Sequence, residues 1–290
     1  MAAEHAIIVE AADSSATRAA IDAAIGDVHR IEAKYSRYRD DSIVSVINRE
    51  SGRRAVAIDA ETSALLHYAD RCHRLSEGRF DITSGVLRRA WNFNALPPRL
   101  PSQSEIDALL PMIDWSQVIF DQDSIRLPRQ GMEIDLGGIG KEYAADRAAT
   151  ILAGHGIEHA LVNLGGDVRA LGGQASGAAW RIGVQHPRAN VPRAAASIDV
   201  HEGAVATSGD YQRYIEVDGH RYCHLIDARS GWPVGAWQSI SVVAPLAIIA
   251  GSYATIAMLM ADSAPDFLAA HEVAWLGIDR NGQAFGTLAH

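Results

Sequence analysis

Cysteine is scarce in this 290-residue chain: Cys72 and Cys223 form neither a CxxC pair nor a disulfide framework. Both lie in apolar-rich segments, so buried free thiols are expected. Long basic runs are missing too. The formal net charge is −9, with both signs interspersed. That argues against nucleic acid or an acidic membrane surface as the main partner. The most apolar segment, 240–261, is interrupted by Pro245 and Gly251 and diluted by Ser241, Ser252 and Thr255. It reads as a buried strand followed by a core helix, not as a membrane span. The opening "MAAEHAIIVEAAD" has no basic n-region, and acids break its short apolar stretch. With Met1 as the natural start, a cytoplasmic protein is expected. Several catalytic signatures are absent: no HExxH, no Cys/His zinc spacing, no Walker A loop, no GxGxxG and no GxSxG elbow.

What is present is enough apolar material, 48% of residues, for a sizeable core. "HAIIVEA" reads as a first strand. "SATRAAIDAAIGDVHRIEAKYS" is an amphipathic helix with Ile21, Ile25, Val28 and Ile31 at spacings of three and four. A short helix follows, capped by Asp41 or Ser42. Residues 59–76 form another, with Asp59 and Thr62 at its start. "NALPPRLPSQS" is a loop leading into a helix at 104–111, and "QVIFDQDSIRLPR" is a hairpin. "KEYAADRAATILAGHG" is a helix stopped at glycine. "ALVNLGGDVRALGG" is strand, glycine turn, strand. "AWRIGVQHP", "AASIDVHEGAVATS", "YQRYIEVDGHRYCHLID" (with an Asp-Gly hairpin turn) and "SISVVAP" read as strands. A helix over 251–261, a second near 264–270 and a terminal hairpin close the chain. Helices dominate the first half and antiparallel-looking strands the third quarter. That predicts an α+β fold, not a doubly wound sheet.

Three glycine-bearing turns and one histidine segment can carry chemistry. "DLGGIGK" (Asp135–Lys141) follows a strand and enters a helix, so its amides can meet a phosphate. "NLGGD" ends on a carboxylate, making Gly166 and Asp167 candidates. "ATSGDYQRY" offers Ser208 beside a glycine, an arrangement more usual in plain hydroxyl-rich turns. "CHLIDARSG" sets His224 and Asp227 near a strand end, where a histidine can accept a proton at neutral pH. Ser208, His224 and Asp227 invite a triad reading, but no nucleophile elbow supports it. Tyr38 and Trp91 can stack on a planar ring, or simply fill the core.

Taken in order, "YSRYRDDSIVSVIN", "GRFDITSGVLRRAWNF", "IDLGGIGKEYAADRAA", "ALVNLGGDVRALGG", "WRIGVQHP", "VATSGDYQRY" and "HLIDARSGWPV" resemble the ApbE family, the FAD:protein FMN transferases. The resemblance covers most of the chain. It implies a single α+β unit over 1–290, T-fold-like, with a flavin cleft. It implies binding of FAD with Mg²⁺, transfer of FMN to a threonine or serine of a target protein, and release of AMP. Some members hydrolyse FAD to FMN and AMP. The implied flavin contacts are Met1, Tyr38, Asn48, Trp91, Asn92, Phe93, Gly137, Tyr143, His224 and Leu225. Lys141 would neutralise pyrophosphate charge, and His224 or a nearby carboxylate such as Asp227 would serve as base.

The chain departs from the family pattern at the metal. The resemblance places an aspartate and a threonine four residues apart on one helix face. Here Thr255 is present and the aspartate position is Gly251. The Gly140 carbonyl matches a third ligand, and Glu142 stands where the family has glycine after the lysine. Ser252, about 100° round the helix, is a poor substitute. Glu142 and Asp227 remain as compensating carboxylates. Three functions stay open: an FMN transferase with an altered metal site, a flavin-binding protein that no longer transfers, and an FAD pyrophosphatase.

Overall fold

A computed structural model describes residues 5–188 and 194–289. Its helices are α1 (Ser15–Tyr35), α2 (Ile43–Arg49), α3 (Ala60–Leu75), α4 (Gln103–Asp107), α5 (Gly140–Gly154), α6 (Ala247–Met260) and α7 (Ala264–Ala270). The first strands are β1 (His5–Val9), β2 (Val56–Ala57), β3 (Ile119–Phe120), β4 (Ser124–Arg126), β5 (Ala160–Leu164), β6 (Asp167–Leu171), β7 (Trp180–Gln185) and β8 (Ala194–Val200). The rest are β9 (Gly203–Gly209), β10 (Tyr214–Val217), β11 (His220–Cys223), β12 (Ile226–Asp227), β13 (Trp232–Pro233), β14 (Trp237–Ala244), β15 (Ala274–Asp279) and β16 (Ala284–Phe285).

Seven strands form the main sheet in the order β1-β5-β6-β9-β14-β15-β16, and each pairing in it is antiparallel. Alternation along β9 explains the layering. Ala204 and Ala206 face the large core with α5 and α6, while Val205 faces a second cluster under the β7–β8 hairpin. Because β9 is covered on both faces there, its first half, Gly203–Ala206, is apolar at successive positions, and Thr207 and Ser208 follow where the strand reaches the cleft. Helix α6 packs across β9 and β14, α5 across β5 and β6, and α1 lies on α5. The α+β expectation holds.

Local signals account for much of this. Ser14, Ser42 and Asp59 each accept a backbone N–H three residues on, at 3.0, 3.0 and 2.9 Å, and so start α1, α2 and α3. Ser42, not Asp41, caps the second. Asp218 (φ 51°) and Gly219 (φ 76°) make the two-residue turn between β10 and β11. Cys72 and Cys223 are buried and free.

Three expectations need correction. The helix placed at 104–111 is split into α4 and a 3₁₀ turn, Leu110–Met112, because Pro111 has no N–H to continue the ladder. The run "AASIDVHEGAVATS" is two strands in different sheets, broken at His201–Glu202. Most consequentially, α6 begins at Ala247, so Gly251 lies inside the helix and does not start it. The Asp146 carboxylate of α5 supplies the cap, accepting the N–H groups of Ala247 (2.8 Å) and Ile248 (2.9 Å). By length and composition Ala247–Ala270 could cross a membrane, yet 67% of an 18-residue apolar window within it is buried in the fold, as in a core helix.

Candidate active site

A cleft of about 640 Å³ opens where the start of α5, the 135–138 loop, the β5–β6 turn, the end of β9, residues 224–226 and α6 converge. It falls within the range usual for small-molecule sites, about 300–1,000 Å³.

The 135–138 loop is shaped by Asp135. One carboxylate oxygen accepts the Gly137 N–H at 2.9 Å, and the other is paired with Arg37. The Asp135 N–H donates to the Ile82 carbonyl at 2.8 Å, tying the loop to the 3₁₀ segment Ile82–Arg89. Gly138 admits the Phe80 ring, since a Cβ there would lie 3.1 Å from it. The chain then turns into α5, whose first-turn residues Gly140 and Lys141 line the cleft. Amides at such a terminus suit an anionic group.

Across the cleft, Gly165 (φ 64°) and Gly166 (φ 97°) form the two-residue turn joining β5 to β6. That turn delivers Asp167, 3% exposed, to the cleft wall. Lys141 Nζ pairs with Asp167 and lies 3.9 Å from Glu142 Oε1. Burial disfavours the Lys141 ammonium, but the Asp167 and Glu142 charges outweigh it and hold its pKa above the ordinary lysine value. For Glu142, burial drives the carboxyl well above the carboxylate range, and repulsion from Asp167 adds to it.

Of the two compensating carboxylates expected from the sequence, Glu142 lines the cleft and Asp227 does not. Glu142 is 6% exposed, and its Oε2 is buried with no hydrogen-bond partner among the described residues. It lies against Gly251: a Cβ on that glycine would sit 2.5 Å from Glu142 Cγ and 3.0 Å from Oε1. Thr255, one turn further along α6, shares a hydrogen bond with Ser208 at 2.8 Å. These donors fit a hard cation, being carboxylate and hydroxyl oxygens throughout. The orphaned Glu142 oxygen is the observation that argues for one, since an unpaired buried oxygen is otherwise costly. Among the described residues no cluster of three or more His, Cys, Asp or Glu forms. A cation held here would therefore complete its shell with substrate phosphate and water, as Mg²⁺ usually does.

His224 stands on the same cleft. Its Nδ1 lies 3.2 Å from the Arg213 carbonyl, which can only accept, so the ring proton belongs on Nδ1 and Nε2 is an acceptor. Burial lowers the His224 pKa, and the Arg213 and Lys141 charges support that direction, so the imidazole is neutral at pH 7.

The cleft brings together twelve of the residues singled out from the sequence: Tyr38, Trp91, Phe93, Gly137, Gly140, Lys141, Glu142, Asp167, Ser208, His224, Leu225 and Thr255. Tyr38 is 77% exposed at the rim, whereas Trp91 is 2% exposed. Trp91 stacks on Phe93 with centroids 5.9 Å apart and donates Nε1–H to the Gly231 carbonyl at 2.8 Å.

Five others lie outside the lining. Asn48 binds both backbone groups of Ile134, at 3.0 and 2.7 Å, and so props the strand-like approach to the 135–138 loop. Asn92 is exposed, and its Oδ1 accepts the Asn94 N–H. Gly166 donates to Asn163 Oδ1. Tyr143 donates to Glu61 at 2.8 Å, in a charged network between α1, α3 and α5. Asp227 accepts the Arg229 N–H at 2.9 Å and lies 3.9 Å from Arg79. With Ser208 bonded to Thr255 and His224 to Arg213, no Ser-His-Asp relay forms. Met1 lies outside the described residues. Ser252 is turned away, bonding the Ile248 carbonyl and Tyr68, each at 2.7 Å.

Sequence reasoning missed the cleft cations Arg37, Arg79, Arg88 and Arg213. No local motif marks them, because each arrives from a different loop or helix end.

A model of the ApbE family matches residues 1–276. The FAD:protein FMN transferase of Klebsiella pneumoniae is 33% identical over 219 residues, covering 74% of this chain and 67% of that protein. The FAD:protein FMN transferase of Vibrio cholerae is 30% identical over 254 residues, covering 87% of this chain and 75% of that one. Among solved structures, the ApbE protein of Thermotoga maritima superposes with a TM-score of 0.87 at 31% identity, over 99% of this chain and 100% of that one. A mutant of the Vibrio cholerae flavin transferase ApbE gives 0.84 at 28% identity, over 98% and 94%. With the family model spanning nearly the whole chain and the fold shared end to end, this protein belongs to the ApbE family.

Proposed function

We propose that the chain is an FAD:protein FMN transferase, working as one unit that moves FMN from FAD to a threonine or serine hydroxyl of an acceptor protein. The hydroxyl oxygen forms a bond to the FMN phosphorus, the P–O bond to AMP breaks, and the hydroxyl proton goes to a base. The observation that carries this reading is convergence: Lys141, the start of α5 and a neutral His224 all line one cleft of cofactor size.

Each group has a task that its surroundings suit. Lys141, held charged by Asp167, offsets the pyrophosphate charge, and the α5 amides reinforce it. The free Nε2 of His224 takes the hydroxyl proton. Tyr38 at the rim covers the flavin, with Phe93 and Leu225 beneath and Trp91 fixing that wall. Asp227 acts at one remove, orienting Arg79. Asn48, Asn92, Tyr143 and Gly166 hold the loops that carry these groups. Glu142, Thr255 and the Gly140 carbonyl are the groups that would hold Mg²⁺. When bound, Mg²⁺ supplies positive charge to the pyrophosphate oxygens.

Incubating the purified protein with FAD, Mg²⁺ and a flavin-acceptor domain tests this. A covalent, fluorescent acceptor band with equimolar AMP is expected. AMP release that ignores the acceptor would indicate a pyrophosphatase, and tight FAD binding without AMP a carrier. Either result would replace the proposal.

A further inference from the structure

We propose that Glu142, reaching from the first turn of α5, supplies the carboxylate ligand of a divalent-cation site in the cleft, and that Gly251 on α6 is the vacancy that admits it. The inference rests on the transferase reading for its substrate but not for its geometry.

Three independent observations meet. The first is steric. Gly251 lies in the interior of α6, where glycine costs about 1 kcal/mol relative to alanine. The room left by its missing side chain is filled by Glu142, whose Cγ lies 2.5 Å from where a Cβ would stand. Side chain and gap are therefore a matched pair. The second is polar. Glu142 Oε2 is buried without a hydrogen-bond partner among the described residues, and the Lys141 ammonium stands 3.9 Å from Oε1 with the Asp167 carboxylate also close by. Lys141 is committed to Asp167 instead. A buried carboxyl with one oxygen unmatched is unfavourable, and a cation beside it would both complete that oxygen and favour the ionised form. The third is positional. Thr255 follows Gly251 by four residues, so the Glu142 carboxyl lies beside the α6 face that presents the Thr255 hydroxyl. Both line the cleft with Lys141, at the end where the α5 terminus favours phosphate.

The alternative is that Glu142 merely plugs a gap in the core. An apolar side chain would plug it without the desolvation cost, so a filler role leaves the carboxylate unexplained.

The test uses Mn²⁺, which favours the same octahedral oxygen shell as Mg²⁺, read by electron paramagnetic resonance and calorimetry in the presence of ADP. The protein should bind Mn²⁺. Glu142→Gln keeps the shape and removes the charge; it should weaken Mn²⁺ binding at least tenfold, since even outer-shell changes cost about 10–100-fold. Affinity for ADP without metal should stay within about twofold. The Glu142→Gly/Gly251→Asp double variant exchanges the two positions and should recover most of the lost Mn²⁺ affinity. Melting curves establish that each variant is folded. Unchanged Mn²⁺ binding in folded Glu142→Gln overturns the inference, and so does absence of Mn²⁺ binding in the unmodified protein. The two proposals fail separately. Tight, Glu142-dependent Mn²⁺ binding without FMN transfer upholds the metal site and removes the transferase reading. FMN transfer with Mn²⁺ binding indifferent to Glu142 does the reverse.

Discussion

The first turns of α5 face two charged clusters, and only one of them is complete. Tyr143 points into the α1–α3–α5 junction. There Arg30 binds both oxygens of Glu61 at 2.8 and 2.7 Å, Lys34 binds Glu61 at 2.6 Å and Asp59 at 2.5 Å, and Tyr143 adds a further donor to Glu61. Lys141 and Glu142, next door in sequence, point into the cleft, where Glu142 keeps an unmatched oxygen. A saturated network at a partly exposed junction fixes helices against one another. An unsaturated one, buried and open to a cleft, is a place prepared for a ligand. Residue type does not separate the two cases, since each is built from carboxylates and cations. Completeness does.

The largest effect should come from the incomplete cluster. Glu142→Gln is expected to lower kcat/KM for FMN transfer on the order of 100-fold, measured by AMP release with an acceptor present. Lys141→Ala leaves Asp167 buried without its cation, and urea denaturation should show a loss of about 3 kcal/mol. Gly251→Ala probes the steric match. In the natural background the added methyl meets Glu142 and should destabilise by about 1–3 kcal/mol. In a Glu142→Gly background the same change should stabilise by about 1 kcal/mol, as helix propensity dictates. The reversal of sign is the measurement, because only residues in contact couple this way.

The complete cluster should respond more mildly. Glu61→Gln is expected to cost about 1 kcal/mol of stability, with FMN transfer within about twofold of the natural rate. Its pH dependence has a definite sign. Hydrogen bonds from Arg30, then from Lys34 and Tyr143, hold the Glu61 carboxyl far below its ordinary range despite partial burial. Its contribution is therefore full above the unfolded-state pKa of about 4.3 and is lost as pH falls through the lower folded value. The stability gap between the natural protein and Glu61→Gln should be constant from pH 7 to about 5 and shrink below about pH 4.

Short-range signals made much of the fold legible. Asp59 caps α3 three residues from its donor, and Asp218-Gly219 makes a two-residue turn with no outside help. The ordered glycine turns were legible for the same reason, since a tight turn writes its requirement into adjacent residues. The start of α6 was not, because its cap is Asp146, 101 residues earlier than the amide it receives. The cleft arginines were hidden likewise, each being ordinary in its own segment. Gly251 shows the limit most clearly. Read locally it is a poor helix residue, and read against the family pattern it is a missing carboxylate. Its physical meaning depends on Glu142, which is distant in the chain and adjacent in space.

The most direct test is a crystal of the protein grown with FAD and Mn²⁺ and examined for anomalous scattering. An anomalous peak bonded to Glu142 Oε2 and the FAD pyrophosphate, beside Thr255, is the predicted result. A peak coordinated without Glu142, or a cleft that binds FAD with no metal at that carboxylate, would contradict the account.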